Sequence, residues 1–220
     1  MAVRPAASGS RRRLRRLAAA AAVVASSVAP GASLEGAAGA GNRAAESAGG
    51  SPGYWLAGVD GAVYQFGDAG FHGAPADGGV RQPVAGMAST PSGRGYWLAE
   101  REGRLHSYGD AEPFGSPADL DLNSPIVGMA ATPSGQGYWL VAADGGIFSY
   151  GDAAFHGSTG AIRLNQPIVG MTATPTGAGY WFVAADGGIF SFGDAAFYGS
   201  TGNLLLNRPI VGMTSTPSGR

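Results

Sequence analysis

The side chains of this 220-residue sequence that could do chemistry recur at a fixed interval of 42 residues. His72 and His156 share a repeat slot with Phe114 and Tyr198, and His106 shares one with Tyr64, Phe148 and Phe190. Neither a general base nor a metal ligand can be exchanged for phenylalanine, whereas a packing ring can. The histidines are therefore expected to be aromatic filler. Carboxylates recur as Asp60, Glu102, Asp144 and Asp186, each before Gly, and as Asp68, Asp110, Asp152 and Asp194, each after Gly. A ring of such groups could gather a cation, but no D-x-D-x-D run supplies the six or more oxygens that Ca²⁺ takes. Aspartate beside glycine commonly bonds the backbone of its own turn, and that role is expected here. Trp55, Trp97, Trp139 and Trp181 could stack on sugar rings, yet each lies in an apolar run that reads as core. Met87, Met129, Met171 and Met213 read as core filler.

Catalytic motifs are nearly absent. Gly49-Gly50-Ser51-Pro52-Gly53 fits G-x-S-x-G but lacks the flanking strand and helix of a nucleophile elbow. The Gly-x-Gly pairs at 93–95, 135–137 and 177–179 lead into Tyr-Trp on a strand, not into a third glycine and a phosphate-cradling helix. There is no cysteine, which excludes disulfides, thiolate metal sites and thiol nucleophiles together. No catalytic, cofactor or metal site is expected.

The elements that must carry these groups follow from the same period. Tyr-Trp at 54–55, Gly-Asp at 67–68 and Gly-Met at 86–87 each return three more times at steps of 42, without an insertion. One copy reads as four short strands: IVGMAAT (126–132), YWLVAA (138–143), IFSY (147–150) and a brief run at 155–157. Pro133-Ser134-Gly135, Asp144-Gly145 and Gly151-Asp152 separate them, and aromatic and β-branched runs between such turns are strand signals. No helical stripe appears after residue 50. Four strands per 40–45 residues is the spacing of a β-propeller blade, so the fold class is all-β, a propeller of four-stranded blades. YWLVAA is apolar on both faces, as a strand sandwiched between blades must be, and Gly128 suits the crowded inner strand. The repeats begin on a second strand at Tyr54 and finish with a first strand at 210–216. A closed four-blade ring and a truncated arc of a larger propeller both fit.

The units GYWLVAADGGIFSYGDAAFHGS and PIVGMTATPTGAGYWFVAADGGIFSFGDAAFYGS resemble a tandem repeat of secreted proteins from high-GC Gram-positive bacteria, over residues 51–220. More loosely they are similar to blades of the chromosome-condensation-regulator or kelch type. The resemblance implies an extracellular propeller, often carried beside cell-wall hydrolase, peptidase or esterase-like domains. The repeat itself brings no activity with it.

The first quarter of the chain differs. Arg4, Arg11, Arg12, Arg13, Arg15 and Arg16 precede an Ala/Val run at 18–28 and a small-residue stretch. That order predicts an export signal over 1–33, with cleavage as late as 40, followed by a Gly/Ala/Ser-rich linker over 34–53 and the repeat domain over 54–220. The apolar run falls short of the roughly 20 residues that a membrane span needs. Ser10-Arg11-Arg12-Arg13-Leu14 leaves either the general or the twin-arginine route open. From Asn42 onward eight arginines face fourteen acids, a net charge of −6, so the basic footprint of a nucleic-acid binder is missing.

Recognition is expected where copies differ most, in the crossovers at 74–83, 116–125, 158–167 and 200–209. Arg81, Asp119, Asp121, Arg163 and Arg208 are the candidate ligand-binding residues there. The function expected is a secreted, non-catalytic scaffold of the cell envelope or extracellular space, with glycan, peptidoglycan or protein as partner. The alternative is the N-terminal part of a secreted hydrolase.

Overall fold

The computed structural model describes residues 53–75 and 79–219, all of them in strands, turns and extended segments. The expected signal and all of the linker except Gly53 lie outside the described residues. Four antiparallel sheets follow one another along the chain. The first holds β1 (Tyr54–Ala57) and β2 (Val63–Phe66), and the second β3 (Val84–Ser89), β4 (Gly95–Glu100) and β5 (Leu105–Gly109). The third holds β6 (Ile126–Ala131), β7 (Gly137–Ala142) and β8 (Ile147–Gly151), and the fourth β9 (Ile168–Ala173), β10 (Gly179–Ala184) and β11 (Ile189–Gly193).

Registers repeat with the sequence. Trp97 faces Ala88, Trp139 faces Ala130 and Trp181 faces Thr172, each on the inner strand of its own blade. The strands β4, β7 and β10 are buried at every residue, because blades cover both of their faces. Inner strands stack along the arc through glycine. A Cβ on Gly128 would lie 3.5 Å from the Cα of Gly170, and one on Gly170 would lie 3.5 Å from the Cα of Gly212. Larger side chains there would push the inner strands apart.

The expected fourth strand is the point of difference. Residues 155–157 form no strand and no ladder. Side chains hold this stretch instead: Trp139 Nε1 donates to Ala154 O (2.8 Å), and Tyr180 of the next blade donates its hydroxyl to Gly157 O (2.6 Å). The same pair recurs as Trp97 to Glu112 O (2.8 Å) and Tyr138 to Gly115 O (2.6 Å). Each tyrosine hydroxyl is also an acceptor, taking the N–H of Phe114 at Tyr138 and of His156 at Tyr180. Gly157 permits this approach, since its φ is +131° and a Cβ would sit 2.6 Å from the Phe192 ring. Blades are thus locked to one another by a buried tyrosine reaching back across the interface.

Among the described residues β1 pairs only with β2, and residues 210–215 form no strand, so no ladder joins the first sheet to the last stretch of the chain.

The tyrosine lock predicts a graded cost. Tyr138→Phe removes the partner of the half-buried Phe114 N–H and of the Gly115 carbonyl and should destabilise by about 1 kcal/mol. Tyr64→Phe, at an exposed ring whose slot holds phenylalanine in two other blades, should stay within about 0.5 kcal/mol. Denaturant midpoints of the two variants measure the difference.

Candidate functional site

The two faces of the arc are chemically distinct. On one face lie the turns that join inner to middle strands, together with the Gly-Asp turns. Thr90 Oγ1 sits 2.8 Å from Asp110 Oδ1, and Ser92 Oγ sits 2.5 Å from Asp110 Oδ2. Thr132 and Ser134 hold Asp152 in the same way, and Thr176 reaches Asp194. These aspartates are therefore bonded to hydroxyls of a neighbouring turn rather than to their own backbone alone. The Ser92 and then the Thr90 hydroxyl hold the Asp110 carboxyl below the usual range, and the Thr176 hydroxyl does the same for Asp194. The other aspartate slot behaves as expected: Asp60, Asp144 and Asp186 accept from Ala62, Gly146 and Gly188 N–H within their own turns.

The aromatic groups are consumed by packing. Trp97 and Trp139 are fully buried, and the Trp55, His72 and Tyr96 rings meet with centroids 5.6–6.2 Å apart. His156 packs likewise against Trp139 and Tyr180. Burial, partly offset by the two backbone hydrogen bonds, raises the Tyr96, Tyr138 and Tyr180 hydroxyls above their ordinary value.

His106 departs from the expected filler role. Its Nε2 lies 2.7 Å from Oε1 of Glu100, a carboxylate only 1% exposed. The other oxygen of Glu100 accepts the backbone N–H groups of Arg81 (3.1 Å) and Gln82 (2.7 Å). In the third and fourth blades these two slots hold Ala142 with Phe148 and Ala184 with Phe190. The polar pair thus replaces an apolar one, and Glu100 pins the crossover that leads into β3. The signal was available in the sequence: Glu100 stands where two other copies have alanine, six residues before a histidine that replaces phenylalanine.

The crossovers lie on the second face, beside the Asp-Gly hairpins, and backbone bonds stitch them together. Arg101 N–H donates to Pro83 O (3.0 Å) while its carbonyl accepts from Ile126 N–H (2.9 Å). Ala143 links Pro125 to Ile168 and Ala185 links Pro167 to Ile210 in the same fashion. Between these stitched loops opens a shallow cleft of about 550 Å³, lined by Gln82, Arg101, Glu102, Leu120, Asp121 and Leu122 among others. A smaller one of about 250 Å³ recurs two blades on, between Asn165, Gln166, Asp186 and Ser200.

All five residues expected to bind ligand are exposed and belong to crossovers. They do not converge. Asp121 enters the larger cleft and Arg81 adjoins it through Gln82, whereas Asp119 lies outside its lining. Arg163 and Arg208 sit on later crossovers and line neither cleft. Sequence reasoning missed Arg101 and Glu102, because a hairpin slot read as a turn gave no hint that it faces the next crossover, and within the crossover 116–125 it picked the two aspartates and passed over Leu120 between them. Among the described residues no three His, Asp or Glu side chains come together as a metal cluster, and no helix is long and apolar enough to cross a membrane.

Three outcomes follow from these polar contacts. Glu100→Ala should cost on the order of 3 kcal/mol by orphaning His106 and two backbone donors. Glu100→Ala combined with His106→Phe, which recreates the apolar pair of the third blade, should recover at least half of that loss in a double-mutant cycle. The lowered carboxyls of Asp110 and Asp194 contribute stability that is complete above the unfolded carboxylate value of about 3.9 and is lost as pH falls through their folded values. Melting temperature should therefore drop below about pH 4, and more shallowly for Asp110→Asn/Asp194→Asn.

Known proteins agree with this architecture at the level of fold. No protein-family model matches the chain, and no curated protein matches it. Among solved structures it is similar to the β-propeller domain of Cps50 (Swd1) from Myceliophteria thermophila, with a TM-score of 0.50 and 12% identity over 76% of this chain. The chain spans 56% of the length of that domain. The likeness concerns the fold alone, and the fold is that of a β-propeller.

Proposed function

We propose that this chain is a non-catalytic binding scaffold of the cell envelope or extracellular space, engaging a glycan, peptidoglycan or protein partner through its crossover face. One observation carries the reading. In every complete blade the residues best suited to chemistry are committed to the fold: tryptophan to a carbonyl, tyrosine to the preceding blade, aspartate to a turn. The crossovers differ instead, and they present exposed charges around an open cleft. A fixed frame with variable loops is the arrangement that binding modules use. The arginine-rich N-terminal stretch and the resemblance to secreted repeats support export.

Cell-wall sedimentation tests the proposal. The chain should pellet with purified cell walls, and Arg101→Ala/Leu120→Ala/Asp121→Ala should lower its apparent affinity by about tenfold, roughly 1.4 kcal/mol. Failure to co-sediment at any salt concentration would sink the cell-wall assignment.

A further inference from the structure

We infer that the larger cleft on the crossover face binds peptide rather than sugar, specifically a peptide that carries both an ammonium and a carboxylate group. The inference rests on the scaffold reading above and names the chemistry of its ligand. Three formal charges, Arg101, Glu102 and Asp121, line the cleft together with the aliphatic Leu120 and Leu122. All three charged residues are exposed, and the ion pairs among the described residues lie elsewhere, at Arg94 with Asp110 and His106 with Glu100. One guanidinium and two carboxylates thus share a cleft without neutralising one another. A guanidinium recognises a carboxylate through paired N–H donors, and carboxylates recognise an ammonium. Leu120, 57% exposed, offers apolar area to a small side chain. Pyranose rings, by contrast, are held by stacking on an exposed aromatic face. No aromatic residue lines this cleft, and Trp97 and Trp139 are fully buried.

The walls of the cleft are fixed before any ligand arrives. Buried Glu100 holds the Gln82 backbone (2.7 Å), and Arg101 is tied at both its N–H and its carbonyl, to Pro83 and Ile126. Leu120 N–H donates to Pro117 O (3.0 Å), closing the turn that carries Leu120 and Asp121. The hairpin tip packs on that turn, since a Cβ on Gly103 would lie 2.6 Å from the Pro117 ring. A site already ordered loses less conformational entropy on binding. At about 550 Å³ it falls in the small-ligand range of roughly 300–1,000 Å³. The charge pattern also belongs to the second blade alone. The slot of Arg101 holds Val59, Ala143 and Ala185 in the other copies, and that of Asp121 holds Gly79, Arg163 and Leu205. The frame repeats, whereas this pairing of opposite charges does not.

Calorimetric titration of the full chain with N-acetylated alanyl-lysyl-alanine tests the inference. Binding should appear with a Kd of about 1 mM or below. Acetylating the lysine, or amidating the carboxylate, should each weaken it about threefold. The carboxylate effect should vanish in Arg101→Gln and the ammonium effect in Glu102→Gln/Asp121→Asn, exposed substitutions that leave every strand untouched. No tripeptide binding would overturn the inference, as would charge effects that survive both variants. So would an N-acetylglucosamine tetramer whose binding depends on Arg101 and Asp121. Cell walls with chemically acetylated amines identify the source of the peptide: weaker pelleting than with untreated walls assigns it to the wall, and tripeptide binding with unchanged pelleting assigns it to a protein. A chain that pellets with walls but ignores the tripeptide loses this specificity and keeps the scaffold reading. One that binds the tripeptide but no wall keeps the specificity and loses the cell-wall assignment.

Discussion

The rest of the structure depends on one contact: a buried tyrosine that crosses from each blade to the glycine carbonyl of the blade before it. Tyr138 and Tyr180 each donate to that carbonyl and accept the preceding N–H, so one hydroxyl satisfies two backbone groups that no ladder reaches. Its demands explain much of the repeat. The glycine must be glycine because a ring from the next blade lies where a Cβ would be. The neighbouring tryptophan anchors the same stretch from within its own blade, which lets a segment without strand pairing stay fixed at the outer edge. Without cysteine or metal clusters among the described residues, aromatic packing carries the cohesion.

Committing these groups to the frame has a consequence for function. Histidine, aspartate and tryptophan are all abundant enough to suggest an active site, and nearly all of them are engaged internally. The second blade is where the frame has been individualised. There Glu100 and His106 stand in for alanine and phenylalanine, and the carboxylate left over by the histidine holds the backbone of Arg81 and Gln82. The larger cleft opens beside that pinned crossover. A buried carboxylate is expensive unless its lone pairs are satisfied, and here His106 on β5 bonds one oxygen while the loop that it positions supplies two backbone N–H groups to the other.

Much of this was legible in the chain. The 42-residue period, the strand runs and their turns, the glycine at the axis and the aromatic role of His72 and His156 all follow from local pattern, since strand signals and turn chemistry act within a few residues. Other features were not. The partner of Asp110 lies on a different turn, 18 and 20 residues away at Ser92 and Thr90, and nothing local announces that pairing. The stretch at 155–157 looked like a strand because its aromatic residues resemble one, yet its backbone bonds go to the Tyr180 hydroxyl of the next blade, while Trp139 holds Ala154 just before it.

The sequence by itself determined the repeating unit, its all-β character and the positions where glycine or a ring is required, because those depend on periodicity and on backbone sterics. Only the tertiary structure decided which groups meet across blades: Glu100 with His106, Arg101 and Glu102 with the next crossover, and five candidate residues spread along an arc instead of gathered in one place. It also decided that, among the described residues, no ladder joins the first sheet to another. The curvature between blades is set by side chains packing across 42-residue intervals, and closure depends on that angle summed over the arc. No single repeat encodes the sum.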